Sequence, residues 1–198
     1  MSILVSSGRF LFPWRLVIGL LAVVLAGFFI RPEPMLVHSW LFQIISLLVV
    51  IAGLALRAWG AAYAGRHTRS DSIEAPRLAT AGPYGYVRNP IYLGSLILGL
   101  GMVGLLGDLR LLALYAVTFA LLFVAIIPAE EAFLKEQFGE EYERYCECVP
   151  RIFPRLLPWR SGVIPRADWL SAKGDAWLAL LLVCIFLGLR LAVALRAA

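Results

Sequence analysis

PIYLGSLILGLGMVGLLGDLRLLALYAVTFALLFVAII, residues 90–127, decides the fold. Two apolar runs, Pro90 to Leu106 and Leu109 to Ile127, meet across Gly107-Asp108. Each is long enough to cross most or all of a hydrocarbon core of about 30 Å as a helix. So short a connection leaves them no geometry but an antiparallel helical hairpin. Gly99-Leu100-Gly101-Met102-Val103-Gly104 has the spacing of a dinucleotide-binding fingerprint. It stands inside an apolar helix with no strand before it, so close helix packing through small residues is the expected role.

The same character extends outward. Of the 198 residues 61% are apolar and only 16% charged, against roughly half and a quarter in soluble domains. A further apolar run, Trp14 to Ile30, is read as a retained span rather than a cleaved leader. Ser39 to Ala64 makes a second, at about 39 Å of helical rise longer than the bilayer is thick. Ala176 to Leu195 makes a last one. The chain is expected to be an all-α polytopic integral membrane bundle of about five transmembrane helices, a single domain over 1–198. Arg57 lies inside the second run, either snorkelling toward headgroups or facing the interior.

Between the spans the chain turns polar. Pro76 and Pro83 interrupt a long loop, Gly65 to Asn89. Pro128 is expected to close the fourth span, with a helix leaving the membrane from Glu130 to Val149 and weakened at Gly139. Arg9, Arg15, Arg66, Arg69, Arg77, Arg88 and the basic residues from Lys135 to Lys173 all fall on one side; Arg31 and Arg110 fall on the other. By the positive-inside rule the amino terminus and both long polar segments face the cytosol, which implies a cytoplasmic membrane. The net charge of +5 is spread over loops, so anionic lipid headgroups rather than nucleic acid are the matching partner. Cys146, Cys148 and Cys184 have neither the spacing nor the companions of a metal site or a disulfide framework.

Chemistry concentrates at the loop–membrane boundary. Asn89 suits an N-cap and Pro90 a first helical position, which starts the third span there. Such a terminus offers unpaired N–H groups and a positive dipole end to an anion, with Arg88 and Tyr92 beside it. Glu130 and Glu131 would open the helix after Pro128, and topology returns them to the same face. An anion-attracting end facing an acidic wall suits a zwitterionic ligand. Tyr84, Tyr86 and Tyr92 fit either a ligand pocket or an interfacial aromatic belt.

In these residues the chain resembles the isoprenylcysteine carboxyl methyltransferase family and its bacterial relatives, which overlap with phospholipid methyltransferases. The likeness runs through Leu78-Ala79-Thr80-Ala81-Gly82-Pro83-Tyr84 and Tyr86-Val87-Arg88-Asn89-Pro90-Ile91-Tyr92-Leu93-Gly94. It resumes at Glu130-Glu131, Phe138-Gly139-Glu140-Glu141-Tyr142, Tyr145 and Val149-Pro150-Arg151, a core over 76–155. The resemblance implies S-adenosylmethionine as methyl donor and a lipophilic small-molecule or lipid acceptor. It implies donor contacts at Leu78, Ala79, Tyr84, Asn89, Pro90, Ile91, Tyr92, Glu130, Tyr142, Tyr145 and Arg151. Glu130, Glu131 and Arg88 are the implied catalytic groups. Many relatives carry His where Asn89 and Pro76 stand, and eukaryotic ones an Arg near Ile126 that meets the acceptor carboxylate. A phospholipid N-methyltransferase, an NADPH-dependent membrane reductase of the sterol-reductase type and a non-catalytic scaffold are the rival readings.

Overall fold

The computed structural model describes residues 39–65, 77–160 and 166–197. The expected first span, Trp14 to Ile30, lies outside them, as do residues 66–76 of the long loop. Helix α1, Trp40–Ala64, starts at Ser39, whose hydroxyl accepts from the Phe42 N–H, and ends at Gly65. Helix α2, Pro90–Leu106, stops at Gly107, where a φ of 71° lets the glycine N–H turn back to Val103 and Gly104. The left-handed conformation suits only a residue without Cβ at low cost. Buried Asp108 then caps helix α3, Leu109–Phe138, by accepting from the Arg110 N–H at 2.9 Å. The expected hairpin is present, joined at the expected pair.

Among the described residues three helices are long and apolar enough to cross a membrane: Trp40–Ala64, Leu109–Phe138 and Trp169–Gly188. The first two are α1 and α3; the third spans a 3-10 turn at Trp169–Ala172 and the first part of helix α5, Lys173–Ala197. Helix α2 is the shorter apolar element. No strand occurs among the described residues, and the all-α membrane bundle stands.

The glycines explain why α1 and α2 form the tightest pair. A Cβ added at Gly101 would lie 2.6 Å from the Val50 nitrogen, and one at Gly94 2.9 Å from the Gly53 carbonyl oxygen. A Cβ at Gly53 would collide with the backbone of Leu98. On the other face of α2, Gly99 lies under the Tyr115 ring of α3. The glycine pattern is a packing device on two faces, which lets backbones approach in a medium where apolar burial gives no drive.

Pro128 corrects an expectation, because α3 runs through it to Phe138. Proline removes the N–H that would bond the Val124 carbonyl, yet membrane helices tolerate this loss where neighbours and local adjustment make it good. The break comes at Gly139, whose φ of 52° and ψ of −126° separate α3 from helix α4, Glu140–Cys148. Glu130 and Glu131 therefore lie within a continuous helix, not at a helix start.

Candidate functional site

The site forms where the start of α2, the last third of α3 and the segment after α4 converge. Backbone bonds lace these pieces together. The Arg88 N–H donates to the Pro150 carbonyl at 2.9 Å, Arg155 N–H to Tyr86 at 3.0 Å and Trp159 N–H to Gly85 at 2.8 Å. A side chain at Gly85 would strike the Trp159 carbonyl, 2.7 Å from where its Cβ would stand. Gly82, at φ 61°, lies under the Tyr63 ring of α1. The loop at 77–89 is thus a fixed layer between the bundle and the proline-rich segment.

Beneath that layer α4 supplies an aromatic floor. Tyr142, Tyr145 and Val149 are buried together, with Leu78, Phe138 and Trp159 packed against them. The Tyr145 hydroxyl donates to the Tyr84 carbonyl at 2.9 Å, and its ring stands 5.7 Å from that of Trp159. Burial pushes all three phenols, Tyr84, Tyr142 and Tyr145, above the ordinary phenol range; Glu130 adds to this at Tyr84 and Glu131 at Tyr142. Tyr145 is thereby a neutral donor, and Tyr142 packs beside it as a wall.

The acidic pair loses its helix-dipole explanation and gains specific partners. Tyr92, in the first turn of α2, donates to Glu130 Oε1 at 2.7 Å. Its ring meets Phe123 of α3 edge-on at 5.9 Å. Glu131 is gripped by Arg151, whose Nε donates to Oε1 at 3.0 Å and whose Nη2 donates to Oε2, and it faces Arg88 Nη1 at 3.6 Å. The hydrogen bonds it donates to Glu131 hold the Arg151 guanidinium in its charged form more firmly than usual. Arg88 Nε is buried and has no hydrogen-bond partner. One carboxylate and two guanidiniums tie positions 88, 131 and 151 into a single unit.

Asn89 occupies the N-cap position of α2 but forms no side-chain cap. Its amide instead donates to the Arg151 carbonyl at 3.3 Å, which leaves the first-turn N–H groups of α2 without that cap. Pro90 and Ile91 turn toward α1, where Ile91 Cγ1 would lie 2.7 Å from a Cβ at Gly60. They are part of the α1–α2 contact. Ala79 is half-buried in the loop layer. The fold therefore gathers Leu78, Tyr84, Arg88, Asn89, Tyr92, Glu130, Glu131, Tyr142, Tyr145 and Arg151 at one end of the bundle.

Sequence reasoning missed Trp159 and the Pro150 carbonyl, which close the layer, and also Asp175. That carboxylate, 4% exposed at the start of α5, pairs with Arg57 Nε at 3.1 Å. Arg57 is thereby an interior residue. An arginine in one apolar run and an aspartate opening another were the available signal, since charges at such depth pair with one another.

The arrangement is a carboxylate fixed against an uncapped helix start, the two ends that a zwitterion needs. Among the described residues no cluster of His, Cys, Asp and Glu could hold a metal ion. A family model described as phospholipid methyltransferase matches residues 41–141. The nickel-cobalt-cadmium resistance protein NccN of Alcaligenes xylosoxydans xylosoxydans is 29% identical over 148 residues, 75% of this chain and 66% of that protein. The cobalt-zinc-cadmium resistance protein CzcN of Cupriavidus metallidurans is 35% identical over 106 residues, 53% of this chain and 45% of its own. The protein-S-isoprenylcysteine O-methyltransferase of Schizosaccharomyces pombe is 41% identical over 81 residues, 41% of this chain and 34% of that enzyme. The matched segments thus span less than two thirds of each relative.

Proposed function

The chain belongs to the phospholipid methyltransferase family, and from that membership we propose that it is an S-adenosylmethionine-dependent methyltransferase acting on a membrane-embedded or lipophilic acceptor at the cytosolic face. The observation that carries the reading is Glu130, held by Tyr92 at 2.7 Å beside the uncapped start of α2. A donor with a carboxylate and two positive centres finds complementary ends there: the helix start for the carboxylate, Glu130 for positive charge. Arg88, Glu131 and Arg151 hold the two halves of the site in register. Tyr84, Tyr142 and Tyr145 give it buried, neutral walls. When bound, the donor supplies an electrophilic methyl group.

Methyl transfer is an in-line displacement, so the chain's main tasks are alignment and exclusion of water. The buried aromatic floor and the laced loop layer suit both. A carboxylate or thiolate acceptor needs no base. An amine must first lose a proton, and of the two candidate carboxylates Glu130 is the one we propose to take it, since Glu131 is engaged by Arg151 and Arg88. A lipophilic acceptor is supported by the apolar helices around the site and by the S. pombe relative, named for action on isoprenylcysteine. The basic loops support the cytosolic orientation.

Calorimetry on the full chain in lipid nanodiscs tests this reading. S-adenosylhomocysteine is expected to bind and NADPH not to, and Glu130→Gln is expected to weaken binding about tenfold, the worth of one charge-assisted contact. Binding of NADPH alone, or of neither ligand, overturns the proposal. Lipid extract incubated with the protein and methyl-labelled donor then identifies the acceptor by mass spectrometry.

A further inference from the structure

Helix α5 begins beyond the segment matched by the family, and most of it faces outward: Trp177 is 72% exposed, Leu187 59% and Leu191 60%. Asp175, a deeply buried charge near its start, is different. Asp175 Oδ1 meets Arg57 Nε of α1 at 3.1 Å, and Arg57 Nη1 donates to Ser95 Oγ of α2. Ser95 Oγ in turn donates to the Ile91 carbonyl at 2.7 Å, one turn back and next to Tyr92. From the other side the Tyr115 hydroxyl of α3 donates to the Ser95 carbonyl at 2.8 Å. Gly94 makes room, since a Cβ there would lie 2.8 Å from Arg57 Cγ.

We infer that Asp175 is a positioning residue for the proposed donor site, acting through Arg57 and Ser95 on the first turn of α2, which carries Tyr92. The Arg57–Asp175 pair suffices as a tether for α5, which has no need of the further bonds from Arg57 to Ser95 and from Ser95 to the Ile91 carbonyl. The polar path instead ends on the carbonyl of Ile91, inside the element that sets the Tyr92 hydroxyl against Glu130. Serine bonding back to the carbonyl four residues earlier adjusts the local bend of a helix. Arg57, fixed by Asp175, sets the position of that serine. The last helix thereby becomes part of the site without touching its ligand. The inference rests on the donor reading above.

The test uses the full chain in nanodiscs as wild type, Asp175→Asn, Asp175→Glu, Ser95→Ala and the double variant Ser95→Ala/Asp175→Asn. Two readouts are taken: S-adenosylhomocysteine affinity, and hydrogen exchange at the Tyr92 to Leu96 amides. Asp175→Asn and Ser95→Ala are each expected to weaken affinity about tenfold, and the double variant no more than either alone, since both cut one path. Asp175→Glu, which keeps the charge, is expected to restore most of the loss. Affinities within about twofold of wild type, or losses that multiply in the double variant, overturn the inference. If wild type binds no S-adenosylhomocysteine, the donor reading fails and exchange decides. Asp175→Asn should then exchange about tenfold faster at the start of α2 with α3 unchanged, and equal exchange overturns the inference. Should Asp175→Asn fail to fold, Ser95→Ala carries both readouts.

Discussion

Helices α1 and α5 are both long, apolar and membrane-spanning, yet they join the bundle by opposite means. α1 meets α2 through glycines at 53, 94 and 101, where backbones approach so closely that no Cβ fits, and through Gly60, which takes the Ile91 side chain. α5 presents Leu180, Val183 and Leu187 outward, and a Cβ at its Gly188 would meet nothing within 4 Å. Among the described residues its polar hold on the core is the Arg57–Asp175 pair near one end, and Phe186 packs against Leu106 and Leu111 further along. Backbone fit holds one helix, and a charge pair with a side-chain contact holds the other. In lipid this division has a physical basis, because apolar surface gains nothing from leaving hydrocarbon, so only fit and polar contacts can hold helices together.

The sharpest way to break the contrast is Gly53→Leu. Its Cβ alone would lie 2.6 Å from Leu98 Cα and 2.8 Å from the Gly94 carbonyl oxygen, both backbone atoms that cannot swing aside. Forcing α1 and α2 apart also separates Arg57 from Ser95. We expect a loss of more than about 3 kcal/mol, seen as absence of a monodisperse nanodisc species. A well-behaved Gly53→Leu protein with an unchanged melting temperature would show that the glycine contact is not what holds the pair.

How far the sequence revealed this depends on the range of each interaction. The hairpin was legible because two apolar runs flank Gly107-Asp108, a signal carried within a few residues. The neighbourhood of Tyr92 and Glu130 was legible from topology alone, since antiparallel spans return to one face. Pro128 misled, because a missing N–H breaks a helix in water more readily than one packed in a bundle, and the true break at Gly139 depends on a positive φ. Asn89 had the right residue type for a cap, but the Arg151 carbonyl, 62 residues away, competes for its amide. The Arg57–Asp175 pair joins residues 118 positions apart, and no local pattern in the chain encodes such a partnership.

A third mode of attachment lies at the polar end, where α4 and the segment after it are held by hydrogen bonds to the 77–89 loop. Tyr145→Phe removes the bond to the Tyr84 carbonyl and keeps the packing, and it is expected to cost about 1 kcal/mol, read as a lower denaturation midpoint. The pH dependence follows from burial. The folded phenol of Tyr145 ionises above its ordinary value, so its stabilisation is complete below the unfolded phenol range of about 10 and is lost as pH rises toward the folded value. Tyr145→Phe should therefore lose less stability than wild type on going from pH 9 to above about 10. An equal alkaline loss in both proteins would place that sensitivity in Tyr84 or Tyr142 instead.

The smallest effect belongs to the region held least by shape. Gly188→Ala adds a methyl group where nothing stands within 4 Å, at a helical position with no positive φ. Lipid accepts the methyl group without rearrangement, and alanine gives up less backbone freedom than glycine on forming a helix. The expected outcome is an unchanged or slightly raised melting temperature, a gain of no more than about 1 kcal/mol. The sign separates the two helices: the same kind of substitution that abolishes the α1–α2 fit leaves α5 intact. A clear destabilisation by Gly188→Ala would mean that protein rather than lipid covers this face of α5, and the contrast between a helix held by backbone fit and one held without it would fail there first.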